Sequence, residues 1–462
     1  MERLPISRSL FFNAPAVISL VAASIAAILV YRACLHPLGK IPGPRIAALT
    51  SLWLTYHYWR GTWHDDILRL HDKYGPVVRI GPNEVALVDA AAAKQLYGHG
   101  KKVKKTNWYS TWIVPGRGRG VFSEQDHNTH SFLRKRVSAA YAMSSILKYE
   151  VYIQSCMDLC FEKLRKYAAA GEIVNMSEWT NALAFDVVGE LAFGEKLGHL
   201  NAESADVGNL RHGIAQLFFV AANLGYVWGQ SGLINSNPLV AFVMALFGAK
   251  PAMLEFANWT KKKVDARRQS DAPSDREDML AHFIRMKSID GDHPASDIEV
   301  IAESMNIIGA GADTTSIGMR TCLYYLSLNP TVYSRLQKEI DEYYDTHDLK
   351  VPITYQQTQE LEYLKAVVLE ALRLFPSITY QLPRYSPAAG IHVAKYYIPE
   401  GYEVGVSCIA QNRDKAVYGE DANEFRPERW LESKEKNAQL QANNMTFGGN
   451  GPRTCIGKNI AL

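Results

Sequence analysis

The sequence predicts one large, mainly α-helical domain carried on an N-terminal membrane helix, and three observations predict it. Ala14 to Tyr31 form an apolar run broken only by Ser19 and Ser24. Helical patterning dominates the rest of the 462 residues, with one β-rich stretch near the start and no repeat or low-complexity linker. Between Ser296 and Pro330 lies a helix of unusual length with clear start and stop signals.

Taken in order, the Ala14–Tyr31 run would span about 27 Å as a helix, close to the hydrocarbon thickness of a bilayer. It exceeds a usual signal-peptide core, shows no clear cleavage site and is apolar on all faces, which disfavours a targeting peptide. An uncleaved anchor over 1–36 is expected, with 37–462 as the main domain. Arg3 and Arg8 precede the run and Arg32, Lys40 and Arg45 follow it, a bias toward a cytoplasmic domain. Two prolines in Lys40-Ile41-Pro42-Gly43-Pro44-Arg45 predict a stiff hinge. Val77–Val88 reads as two strands split by Gly81-Pro82-Asn83. Ile214–Phe247 is apolar enough to mimic a second span, but Asn223, Gln230, Asn235, Asn237 and Pro238 cut it into short pieces. Buried helices and a mobile lid over an apolar cavity both fit it. Ser296 and Glu299 form a capping box and Asn329-Pro330 a stop, so the helix between them would run about 48 Å. At its middle, Gly309-Ala310-Gly311-Ala312-Asp313-Thr314-Thr315 would let something flat approach the backbone. Pro376–Pro399 reads as irregular and proline-dotted.

Composition excludes several classes. Apolar residues at 47% and charged residues at 21% rule out disorder and a multi-span membrane protein. Fifty basic against 47 acidic residues give a net charge of +3, no electrostatic case for nucleic acid. Six cysteines without a CxxC pair indicate neither a disulfide scaffold nor a zinc ribbon.

The most informative stretch is Phe447-Gly448-Gly449-Asn450-Gly451-Pro452-Arg453-Thr454-Cys455-Ile456-Gly457. One cysteine stands in a glycine-rich loop, two residues after an arginine and just before a helix. Loop amides and a helix N-terminus favour a thiolate over a thiol. A buried structural cysteine would need neither the glycines nor the arginine.

Here the chain resembles the cytochromes P450, the haem-thiolate monooxygenases, through Gly451, Arg453, Cys455 and Gly457. The resemblance implies the P450 fold, with a long helix over haem b and a small β-sheet subdomain. It makes Cys455 the axial ligand of the haem iron, a ligation that favours O–O cleavage, and pairs Arg453 with a propionate. Glu370-Ala371-Leu372-Arg373 resembles the family's ExxR, and Phe425-Arg426-Pro427-Glu428-Arg429-Trp430 its second arginine motif, implying a buried Glu370–Arg373–Arg429 network. Ala310–Thr314 resembles the oxygen-binding segment: Thr314 would hydrogen-bond dioxygen or a water at the iron, and Asp313 would help relay protons. His130-Ser131-Phe132-Leu133-Arg134 and Leu382-Pro383-Arg384 resemble propionate contacts, placing His130, Arg134 and Arg384 at the haem. Leu70–Glu84 is similar to fungal members, and Ala140–Ser145 to those of the pisatin demethylase type.

The resemblance further implies an apolar small-molecule substrate, dioxygen, an NADPH-dependent diflavin reductase and attachment to the endoplasmic reticulum membrane as partners. Lys135, Arg136 and Lys458 would be docking charges for the reductase. The reaction implied is hydroxylation, oxidative demethylation or epoxidation in secondary metabolism. A reductase-independent isomerase or dehydratase is the alternative, which Asp313-Thr314 opposes; a non-catalytic haem-binding protein is another. Cavity-lining residues are expected in Lys105–Val114, Leu217–Trp228, Asn306–Thr314 and Ser377–Leu382. Two departures stand out. Phe447 lies eight residues before Cys455 where the family has seven, an insertion near Asn450. The chain also ends at Leu462, short of the family's usual length, so an incomplete C-terminal helix and hairpin are expected.

Overall fold

A computed structural model describes residues 14–113, 120–204, 206–227, 252–269, 276–349 and 351–462. Ala14–Val30, without a charged residue, forms a helix, and Pro15–Leu35 is long and apolar enough to cross a bilayer, with a mean hydropathy of 2.1. The apolar window of that span is not buried against the rest of the protein.

The segment that follows this helix is no free hinge. Tyr31–Leu35 winds into a π-turn, and Pro37–Lys40 into a 3₁₀ turn capped by His36, whose Nδ1 accepts the Leu38 amide at 3.1 Å. His36 Nε2 also meets Asn83 Oδ1 at 3.0 Å, and Arg32 Nη1 donates to the Leu49 carbonyl at 2.6 Å. Leu38 and Ile41 are buried in the cluster that covers the main sheet. The two prolines do stiffen the linker, but it is anchored into the core rather than pivoting between two bodies.

That sheet has the order β1 (Val77–Arg79), β2 (Glu84–Leu87), β6 (Glu403–Val406), β3 (Arg384–Tyr385). Strand β1 (Val77–Arg79) pairs antiparallel with β2 (Glu84–Leu87), the expected hairpin around Gly81-Pro82-Asn83. The stretch expected to be irregular, Pro376–Pro399, instead holds β3 (Arg384–Tyr385), β4 (Ile391–Val393) and β5 (Tyr396–Ile398). Strands of two or three residues are too short to show an alternating pattern in sequence. Strands β4 and β5 form their own hairpin; β3 runs antiparallel to β6 (Glu403–Val406), which lies parallel to β2.

The helical core is built around Asp297–Leu328. Its start is the expected capping box, with the Ser296 hydroxyl accepting the Glu299 amide and the Glu299 carboxylate accepting the Ser296 amide. It packs along Met176–Phe193, where Val188 and Leu191 meet Met305, Ile308 and Ala312 in one buried cluster. A buried polar tie, Ser316 Oγ to Asn181 Oδ1 at 3.0 Å, fixes the register of the two helices.

Of the apolar Ile214–Phe247 stretch, the first part belongs to helix Leu210–Val227 and the remainder lies outside the described residues. Ile214, Ala221 and Ala222 are buried, Trp108 Nε1 donates to the Ala222 carbonyl at 3.2 Å, and Phe219 and Val220 are exposed.

Candidate functional site

The loop 447–457 is shaped by its glycines. Gly448 and Gly449 adopt φ of 81° and 78°, where a side chain is strained. Gly451 lies against the backbone of Tyr97 so closely that a Cβ would sit 1.7 Å from the Tyr97 carbonyl oxygen. The Thr454 hydroxyl ties the loop to itself, accepting the Gly451 amide at 2.9 Å and donating to the Gly449 carbonyl at 2.5 Å. The extra residue is absorbed at Asn450, whose Nδ2 donates to the Gln441 and Ala442 carbonyls near the end of helix Lys434–Asn443. The loop still closes: the Cys455 amide donates to the Phe447 carbonyl at 2.9 Å, while the Phe447 ring faces the Lys458 ammonium 5.7 Å away.

Cys455 is exposed on one side. Protein crowds its other side, and this burial pushes the thiol up. The Gly457 and Lys458 amides and the Arg134 and Lys458 charges act in the expected sense, toward the thiolate, but are outweighed. The amides and the helix start, weighed alone, overstate the thiolate, because Lys458–Ala461 is a single short turn. A thiolate at Cys455 needs a cation in front of it.

Behind the loop gather five basic side chains. Helix His127–Val137, capped by Asp126, puts His130 and Arg134 one turn apart, and Arg134 Nη1 donates to the Thr454 carbonyl at 2.7 Å. Arg384 arrives on β3, with Nη1 on the Tyr109 hydroxyl at 2.6 Å. Its backbone bridges to Lys105, a residue no motif singled out. Lys105 is buried, with Nζ donating to the Phe122 carbonyl at 2.6 Å and lying 4.9 Å from the Tyr109 ring centre. Burial, reinforced by Arg384 and Arg453, drives its amine well below the usual lysine range. Burial and the charges of Lys105, Arg453 and Arg134 push His130 down to about 3, so it is neutral near pH 7. Arg453, desolvated and beside Arg384, is pulled to about 10. Its Nη1 and Nη2 are buried without a hydrogen-bond partner among the described residues.

Such a cluster calls for anions. Carboxylates of a bound ligand would satisfy the Arg453 donors that lack a partner among the described residues and would offset the mutual repulsion, and Cys455 would hold its metal. The residues present therefore fit an iron porphyrin.

On the long helix, the glycines serve helix packing. A Cβ at Gly309 would touch Phe218 and Phe256 at 3.7 and 3.8 Å, and one at Gly311 would lie 3.3 Å from Val188 Cγ2. The open face belongs to Ala310 and Thr314, and the Thr314 hydroxyl donates to the Ala310 carbonyl at 2.6 Å. Asp313 lies in the field of Arg320, whose guanidinium burial pulls down and Asp313 pulls up.

Glu370, Arg373 and Arg429 form one network with side chains at most 1% exposed. Arg373 donates to both carboxylate oxygens at 2.8 Å and Arg429 to Oε1 at 2.8 Å. The Trp430 indole and the Arg426 amide, each at 3.0 Å, add donors the motifs did not announce. Burial would raise the Glu370 carboxyl; the guanidiniums hold it below the usual range.

One docking charge is corrected. Lys135 is exposed, but Arg136 is paired with Glu299 at 2.5 Å and Glu303 at 3.3 Å, its side chain only 6% exposed. Successive residues of a helix turn about 100°, so Arg134, Lys135 and Arg136 face the cysteine loop, solvent and the long helix respectively.

Comparison with known proteins agrees with this geometry. The family model described as Cytochrome P450 matches residues 41–462. The cytochrome P450 monooxygenase gsfF of Penicillium aethiopicum is 35% identical over 441 residues, 94% of this chain and 86% of that one. The cytochrome P450 monooxygenase cicH of Emericella nidulans is 33% identical, over 92% of this chain and 85% of its own. A pisatin demethylase of Fusarium vanettenii is 31% identical, over 94% of this chain and 83% of its own. With the family model spanning nearly all of the chain beyond the N-terminal apolar helix, and relatives above 30% identity along its length, the protein belongs to the cytochrome P450 family of monooxygenases.

Proposed function

We propose that the protein holds haem b through Cys455 and oxidises an apolar small molecule of secondary metabolism, by hydroxylation, oxidative demethylation or epoxidation. The observation that carries this reading is the cluster of Lys105, His130, Arg134, Arg384 and Arg453, with two Arg453 donors free, directly behind the Cys455 loop. Arg453, Arg384, Arg134, neutral His130 and Lys105 would receive the propionates. The haem would supply the activation of dioxygen. Gly451 keeps the loop against Tyr97, and Gly457, around which a Cβ would meet nothing within 4 Å, leaves the metal side open. Thr314 presents a hydroxyl that can turn from the Ala310 carbonyl to a ligand or water, and Asp313, held near Arg320, would pass it protons from solvent.

Pro15–Leu35 would fix the protein in the endoplasmic reticulum membrane with the catalytic domain on the cytoplasmic side. Exposed Ile46, Leu52, Tyr56 and Trp59, on short helices just after the anchor, suit a lipid–water boundary. Electrons would come from NADPH through a diflavin reductase docking near Lys135 and Lys458. The sequence similarity to a pisatin demethylase supports an apolar secondary metabolite as substrate.

The test is the reduced carbon monoxide spectrum of the full chain reconstituted with haem. The strongly red-shifted Soret band of thiolate ligation is expected, and its loss in Cys455→His. An imidazole-type spectrum in the wild type would overturn the reading.

A further inference from the structure

Three carbonyls in the middle of the long helix each accept a hydroxyl. The Ala310 carbonyl takes Thr314 Oγ1 at 2.6 Å and the Asp313 carbonyl takes Ser316 Oγ at 2.8 Å. The Thr314 carbonyl takes Ser377 Oγ at 2.7 Å. Two of these donors are on the helix itself. Ser377 is not: it belongs to the segment that leaves helix Glu362–Leu374 and leads to β3.

That segment is a rigid mount. Pro376 is buried and has a fixed φ, the Thr446 hydroxyl holds the Leu372 carbonyl at 3.0 Å, and the Cys408 thiol meets the Ile378 carbonyl at 2.7 Å. The helix opposite carries two glycines, which lower helix propensity, and a threonine bonding back to the Ala310 carbonyl one turn earlier, which weakens a helix slightly. Gly318, one turn beyond Thr314, keeps the approach open: a Cβ there would lie 3.3 Å from Leu372 Cδ2 and 4.0 Å from Ser377 Oγ. Ser377 thus connects a fixed frame to the backbone of the residue whose hydroxyl faces the reaction.

We infer that Ser377 is a positioning residue for Thr314: its hydroxyl holds the Thr314 carbonyl and so sets where the Thr314 hydroxyl points when dioxygen binds. The segment 377–382 is also where a substrate is expected to lie, so displacement of Ser377 by a bound molecule is transmitted to Thr314. This inference rests on the monooxygenase reading.

The experiment uses the full-length holoprotein, reduced with dithionite and mixed with aerated buffer, with dioxygen as the only ligand. The readout is the return of the oxidised spectrum; one electron would go to dioxygen, which would leave as superoxide. Ser377→Ala should reoxidise about fivefold faster, the factor expected for one neutral hydrogen bond. Ser377→Thr, which keeps the hydroxyl, should stay within about twofold of the wild type, with Ser377→Cys between the two. The double variant Ser377→Ala/Thr314→Ala should be no faster than Thr314→Ala alone, since Ser377 acts through Thr314. A wild-type rate in Ser377→Ala, or in Ser377→Cys should the alanine variant not fold, overturns the inference, and so does a double variant whose rates multiply. Carbon monoxide spectra on the same samples separate this failure from loss of thiolate ligation.

Discussion

Replacing Glu370 with alanine tests the buried network directly. The carboxylate accepts five hydrogen bonds, from Arg373 Nε and Nη2, Arg429 Nε, Trp430 Nε1 and the Arg426 amide. Alanine removes all five hydrogen bonds, leaves the Arg373 guanidinium buried without a counter-charge and leaves Arg429 with Asp421 alone. Arg373 retains the Asn412, Ala422 and Glu424 carbonyls, and Arg429 retains Tyr418 and Asp421, so neither loses every partner. Breaking a buried pair costs about 3–5 kcal/mol. An unsatisfied indole or amide N–H adds about 1–3 kcal/mol. Together these approach the whole stability of an ordinary domain, about 5–15 kcal/mol. The variant should therefore not accumulate as folded holoprotein, whereas Glu370→Gln, which keeps one oxygen acceptor, should fold with a lowered melting midpoint. Soluble yield and circular-dichroism melts of the full chain read both. Glu370→Ala/Arg429→Met should recover part of the loss, because one stranded charge is removed. A Glu370→Ala protein melting within about 2 °C of the wild type, a shift worth less than about 1 kcal/mol, would refute the argument.

Four other outcomes are expected. Gly451→Ala should displace the cysteine loop, at a cost of about 1–3 kcal/mol, and weaken the thiolate carbon monoxide band, because its Cβ would meet the Tyr97 carbonyl. Lys105→Met should leave the haem-free protein at least as stable, since a buried repulsive charge goes, yet release haem faster to apomyoglobin. His130 has a folded-state value of about 3 against 6.5 ordinarily, so the unfolded chain binds the proton first and stability falls as pH drops below 6.5. Urea midpoints of the haem-free wild type should fall more steeply than those of His130→Gln between about pH 7 and about pH 5. Thr314→Ala should release more peroxide per NADPH consumed while keeping the thiolate spectrum, and Thr314→Ser should restore coupling.

Where a structural rule is local, the chain announced it. The capping box at Ser296, the stop at Asn329-Pro330 and the i,i+3 pair of Glu370 and Arg373 each follow from a few adjacent residues. The cation cluster was only half legible. His130, Arg134, Arg384 and Arg453 sit in motifs, but Lys105 is one of four lysines between 101 and 105, and the only buried one. Nothing in that run distinguishes it; the backbone bridge to Arg384, 279 residues away, does. Arg136 was misjudged for the converse reason. Its two acids lie on another helix, and a basic residue reads as exposed until its partners are placed. The short strands after Pro376 stayed hidden because pairing, of β3 with β6 and of β4 with β5, creates them rather than their own pattern.

The burial of Leu38 and Ile41 beneath the sheet has a practical bearing on how this enzyme can be trimmed for solubility. Cutting after residue 44, at the second proline of Ile41–Pro44, would delete two core side chains and the His36 cap together with the N-terminal apolar helix. Removing only what precedes Tyr31 would spare them, so two deletions differing by fourteen residues should give a well-behaved protein in one case and aggregates in the other.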